Sequence, residues 1–195
     1  MPKIIWCGNK SWDTDFPENT LPNNAKRIER PDNIFKSSLL YGILPLIFSY
    51  AIICIKWFMI GEKAMNPIYV AFGIILGLLL LPVHEVLHGV CYKKGQKVYI
   101  GICLKKFAAF AVCHEPISKR RFVIMSLMPM LLGIIPLAIF LLSPPNAFLS
   151  GICIPMGIIG MLSPMPDYMN VHIICKQVPK GAFVHTQNDG FYWYK

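Results

Sequence analysis

Acidic and basic side chains are missing from three long stretches of this 195-residue sequence: none occurs in 37–55, 64–83 or 122–166. Gaps of that length exclude an ordinary soluble domain, and the first two match the roughly 20 residues that cross a bilayer. The third is about twice as long and contains Ser143-Pro144-Pro145-Asn146, a turn sequence that no continuous helix carries through its middle. It therefore predicts a helical hairpin, for four spans at about 37–60, 66–91, 122–142 and 147–165. The hydrophobic fraction of 55% and mean hydropathy of +0.51 agree with a membrane class. Other absences are as informative. The first 36 residues hold Asp13, Asp15, Glu18, Glu29 and Asp32 and no apolar core, so a cleaved signal peptide is not expected. The seven cysteines (Cys7, Cys54, Cys91, Cys103, Cys113, Cys153 and Cys175) contain no CxxC pair and read as reduced thiols rather than a disulfide framework. There are no internal repeats.

The net charge of +9 follows from nineteen Lys and Arg, and their distribution sets a topology. Six fall in 1–36, two in 56–66 (Lys56 and Lys63), eight in 91–121 and three in the tail. With both termini cytoplasmic, seventeen of the nineteen face inward, as the positive-inside rule requires. A basic surface beside anionic lipid accounts for the charge, and no nucleic-acid partner is expected. The fold class predicted is an all-α integral membrane protein of about four transmembrane helices, with a short interfacial β-hairpin where 97–104 and 107–113 flank Lys105-Lys106. Pro17, Pro22 and Pro31 suggest an extended arm over 1–36, and Asn188-Asp189-Gly190 marks a hairpin turn in the 177–195 tail.

The second predicted span ends in His84-Glu85-Val86-Leu87-His88, an HExxH pattern. Four residues apart on a helix, His84 and His88 present both rings on one face, where they can ligate a single Zn²⁺. Glu85 is one step round from His84, close enough to take a proton from water without itself ligating. The bland alternatives are coincidence or a buried hydrogen-bonded cluster without metal, but three ionisable groups on one turn of an apolar span call for a shared reason. A catalytic site also needs a third protein ligand. The second and fourth spans run in the same direction, so the end of the fourth lies level with the histidines. There stands Asp167, the one acidic residue between Glu115 and Asp189. It is the candidate third ligand, with a helix cap as its bland role. His172 and Asn170 could orient Asp167 or a substrate oxygen. Cys91 shares the face of His88, whereas His114, Glu115 and His185 read as surface groups. Gly73 and Gly77 form GxxxG, which lets a neighbouring helix approach closely, and Pro82 is placed to kink the helix just before the site.

These residues resemble a bacterial membrane family named for a domain of unknown function and catalogued as zincin-type peptidases, similar in plan to the site-2 intramembrane metalloproteases. The likeness rests on His84-Glu85-Val86-Leu87-His88-Gly89 at a span end, the basic segment 118–122 leading into a Pro-containing hairpin, and Asp167 at the end of the last span. It implies Zn²⁺ held by His84, His88 and Asp167, with Glu85 as catalytic base, in a membrane-embedded domain over 37–176 between the arm and the tail. One departure stands out. Site-2 proteases set the third ligand in an Asn-Pro…Leu-Asp-Gly context, and here it is Ser-Pro-Met-Pro-Asp-Tyr. The expected function is hydrolysis of peptide bonds in a membrane-associated protein or peptide at the cytoplasmic side of the bacterial cell membrane. The alternative is a non-catalytic membrane scaffold or a metal-handling protein.

Overall fold

The computed structural model describes residues 1–10, 14–60, 65–106 and 108–195. Asp13, Lys63 and Phe107, which entered the charge and hairpin readings above, lie outside the described residues. In chain order the elements are β1 (Lys3–Asn9), β2 (Lys26–Arg27), α1 (Ile34–Ser38), α2 (Ile43–Ile60), α3 (Pro67–Leu79), α4 (Leu81–Val90), β3 (Lys97–Cys103), β4 (Ala108–Val112), β5 (Ile117–Ser118), α5 (Lys119–Leu127), α6 (Leu131–Leu142), α7 (Ala147–Leu162), α8 (Met165–Gln177), β6 (Phe183–Gln187) and β7 (Gly190–Tyr194). Among the described residues four helical stretches are long and apolar enough to cross a membrane: Ile34–Ile60, Pro67–Val90, Lys119–Leu142 and Ala147–Gln177. The fourth runs further than predicted, because the chain re-enters a helix directly after Pro164.

Contacts divide the chain into two compact units, one of Met1–Ile34, Pro82–Met128 and Asp167–Lys195, the other of Phe35–Leu81 and Pro129–Pro166. The second unit is helical, with α7 packed against α2, α3 and α6. Two of its helices, α3 and α7, start where the sequence supplies caps: Asn66 Oδ1 accepts from the Ile68 N–H at 2.9 Å ahead of Pro67, and Asn146 Oδ1 accepts from the Phe148 and Leu149 N–H groups at 2.9 and 3.2 Å. Small residues set the packing distance. A Cβ added to Gly73 would meet the Ile152 carbonyl at 2.6 Å, and one on Gly160 would meet the Leu132 main chain at 2.4 Å. The GxxxG expectation is thus met, with α7 as the close neighbour. Ile53, Phe140, Cys153 and Ile154 form the buried cluster of this unit. Apolar side chains such as Leu44, Phe58, Leu79 and Leu142 stay largely exposed, as on a lipid-facing surface. Lys56 is not a solvated topology charge: it is buried, its Nζ donating to Ser143 O at 3.0 Å, to Ser143 Oγ at 3.1 Å and to the Phe140 carbonyl.

Among the described residues the first unit carries α4, α5, α8 and seven strands in two sheets, which corrects the all-α reading. One sheet has the order β1-β3-β4, with β1 parallel to β3 (Lys3 opposite Lys97) and β3 antiparallel to β4 (Ile100 opposite Ala111). The other has the order β2-β7-β6-β5. The 97–113 and tail hairpins are present as expected. The N-terminal arm, read as having little structure, instead contributes β1 and β2. Its partners lie about ninety residues away or more (Lys3 to Lys97, Lys26 to Trp193), beyond the reach of any local pattern. All seven cysteines are free thiols, and burial pushes that of Cys113 up to about 12.

Candidate metal centre

The site is built on the first unit. Pro82 has no N–H to give to Leu78, so the helical stretch is interrupted at Leu80, between α3 and α4, as its position predicts. On α4 the four-residue spacing brings the rings of His84 and His88 to one face, with centroids 4.8 Å apart and planes at 74°. Both histidines are buried. Gly89 follows at the point where the helix meets the sheet: a Cβ there would stand 3.1 Å from Ile100 Cδ1 and 3.5 Å from Val98 Cγ1. The close approach of α4 to β3 thus depends on a residue without a side chain.

Asp167 lies in the first turn of α8, behind Pro164 and Pro166. Instead of capping its own helix it turns to the histidines. Its Oδ2 is 3.2 Å from His84 Nε2 and 3.4 Å from His88 Nε2, and the two Nε2 atoms are 3.0 Å apart. Ligands at about 2.0 Å from a tetrahedral zinc are separated by about 3.3 Å along each edge, so the three observed separations fit one face of such a tetrahedron. No other group of three His, Cys, Asp or Glu ligand atoms gathers this way among the described residues. Cys91, His114, Glu115, His172 and His185 are not in the cluster.

The orientation of His88 is set from behind. Its Nδ1 donates to the Met125 carbonyl on α5 at 3.0 Å, which fixes the tautomer that leaves Nε2 a lone pair for the centre. Glu85, half-buried, accepts a hydrogen bond from the Ala111 N–H of β4 and interacts electrostatically with His84, His88 and Asp167. Asn170, one turn after Asp167, takes a different role from direct orientation of that carboxylate: its Oδ1 accepts from Arg30 Nη2 at 3.1 Å. Arg30 also stacks over the Phe191 ring at 4.2 Å and is attracted by Asp167. Sequence reasoning missed Arg30, Met125 and Ala111. Arg30 sits in a prolyl arm with no pattern, and the other two act through main-chain atoms that any residue supplies.

His185 and His114, read as surface groups, are buried instead. His185 Nε2 donates to the His114 carbonyl at 2.9 Å and His114 Nδ1 to the Pro17 carbonyl at 3.1 Å, so both belong to the seam that holds the arm against β6. Burial lowers the pKa of His185.

Residues 77–183 match the protein family described as "Putative zincin peptidase", a match that covers more than half of the chain and includes His84, Glu85, His88 and Asp167. No curated protein and no solved structure matches.

Proposed function

The chain belongs to the putative zincin peptidase family, and from that premise we propose that it is a membrane-embedded zinc metallopeptidase acting on a membrane-associated protein or peptide near the cytoplasmic interface. The observation that carries the reading is the convergence of His84 Nε2, His88 Nε2 and Asp167 Oδ2 within 4.8 Å of one another. His84, His88 and Asp167 would hold Zn²⁺ through these three atoms and leave the fourth position open. A zinc ion there would supply Lewis acidity, polarising the scissile carbonyl and acidifying water. Glu85 accepts the proton of the attacking water on a carboxylate oxygen and delivers it to the leaving amine nitrogen. The Ala111 N–H holds that carboxylate in place beside the histidines.

The same hydrogen bond supports a substrate path. β4 is the outer strand of its sheet among the described residues, and Ala111 on it touches Glu85. A peptide unwound at the interface and added along β4 would present its carbonyls next to the base. The four long apolar helices and the inward bias of the Lys and Arg residues support membrane embedding with both termini cytoplasmic.

The test pairs metal content with hydrolysis. Detergent-purified wild type should carry about one zinc per chain, a closed count for a single three-ligand site. His84→Ala and His88→Ala should lose it. Glu85→Gln should keep the metal while losing cleavage of a model membrane peptide by at least about a hundredfold. Retained cleavage by Glu85→Gln would sink the base assignment. A metal-free wild type prepared without chelators would turn the reading toward a non-catalytic scaffold.

A further inference from the structure

The first unit also holds a cleft whose lining includes none of the three ligand residues. A cleft of about 340 Å³ opens between the end of α4 and the start of α5, lined by Val90, Cys91, Ser118, Arg120, Arg121 and Ile124. We propose that it binds the phosphodiester headgroup of an anionic phospholipid; the proposal rests on the reading that the helices span a membrane.

Three observations carry it. Three consecutive cations begin α5, and the structure uses only the first: Lys119 Nζ donates to the Cys175 carbonyl at 3.1 Å and to the Val178 carbonyl. Arg120 and Arg121 form no ion pair among the described residues, although both line the cleft. Arg121 and Cys91 interact electrostatically, which sets that guanidinium's charge against the α4 side of the cleft. Two planar guanidinium forks fit the oxygens of one phosphodiester, and the start of a helix adds favourable potential for an anion.

The second observation is the level at which the cleft lies. Val90 is the last residue of one candidate span and Lys119 the first of the next, so two apolar helices end at this cleft. The third is its wall. Val90 is 47% and Ile124 49% exposed, so aliphatic surface flanks the charged mouth on both helices. A soluble anion has no use for that surface, whereas an acyl chain leaving a bound headgroup would cover it. The volume suits a headgroup, being near the lower end of ordinary small-ligand sites of about 300 Å³ and upward.

Native mass spectrometry of the full chain in detergent, titrated with dioleoyl phosphatidylglycerol or dioleoyl phosphatidylcholine, tests this. The wild type should bind the anionic lipid about tenfold more tightly. Arg120→Gln/Arg121→Gln should lose that preference, while Lys93→Gln/Lys94→Gln, the same charge change at exposed positions of the same segment, should keep it. Millimolar inorganic phosphate should not displace the lipid. Equal affinity for the two lipids, equal loss in the lysine control, or displacement by inorganic phosphate would each overturn the proposal, the last by assigning a free-anion site. If the double Gln variant does not fold, Arg120→Lys/Arg121→Lys keeps the charge without the fork and should still bind phosphatidylglycerol more weakly; unchanged affinity there also overturns it. Alkaline extraction of cell membranes reads the membrane assignment separately, since a protein released to the soluble fraction fails that reading whatever the lipid titration gives.

Discussion

Replacing Asp167 with Asn separates a metal centre from a metal-free hydrogen-bonded triad, because the two arrangements predict opposite responses to a chelator. Asn keeps the size and shape of the side chain and removes the charge whose Oδ2 sits 3.2 and 3.4 Å from the two Nε2 atoms. If the three groups hold zinc, the ion binds the folded chain alone, and free zinc at about a thousand times its dissociation constant stabilises it by about 4 kcal/mol. For a chain of this length each kcal/mol moves the midpoint by about 2–4 °C, so EDTA should lower the apparent Tm of the wild type by about 8–16 °C. Asp167→Asn, left with two neutral ligands, should unfold near the chelated wild type and hardly respond to EDTA. If the triad holds no metal, Asp167→Asn breaks a buried pair at a cost of about 3–5 kcal/mol and the wild type is indifferent to chelator. Intrinsic-fluorescence melting in detergent, with and without EDTA, reads both. A wild-type Tm unmoved by EDTA would refute the zinc reasoning.

Three further outcomes follow from particular contacts. Gly160→Ala puts a Cβ 2.4 Å from Leu132 C and 2.5 Å from Gly133 N, both main chain, so α6 and α7 must part; a loss of about 1–3 kcal/mol should appear as a Tm several degrees lower. Lys56→Met removes the donor to Ser143 O and to the Phe140 carbonyl at the end of α6, and thermal melting should report a loss of about 1–3 kcal/mol. His185 is held neutral by burial, with its folded pKa below the value of about 6.5 it has when unfolded. The unfolded chain therefore binds the extra proton first, and the stability His185 contributes is intact above about pH 6.5 and lost as pH falls through the lowered value. In the presence of EDTA, so that zinc release plays no part, the Tm of the wild type should fall between pH 7 and 5.5 more steeply than that of His185→Gln.

The sequence was most legible where the physics is local. Spans follow from the cost of charge in hydrocarbon, and the long uncharged runs located all four apolar helices to within a few residues apart from the continuation of the last through α8. Helix geometry alone pairs His84 with His88. Asp167 was picked out by depth along two spans expected to run in the same direction, an argument about topology that needed no contact. The strands were legible only as hairpins, where both partners lie within about a dozen residues of each other in the chain. The parallel pairing of β1 with β3 has no local signature, and the arm's prolines pointed the other way.

By itself, then, the sequence determined the long apolar helices and the HExxH pair, since each depends on composition or on spacing within one element. Only the tertiary structure decided that Asp167 Oδ2 meets both Nε2 atoms, that Met125 orients His88, that Ala111 holds Glu85, and that Arg120 and Arg121 line one cleft beside aliphatic walls. Each of those depends on atoms from separate elements arriving within a few ångströms. No periodicity records that distance, because main-chain donors and acceptors look alike at every position until the fold selects one.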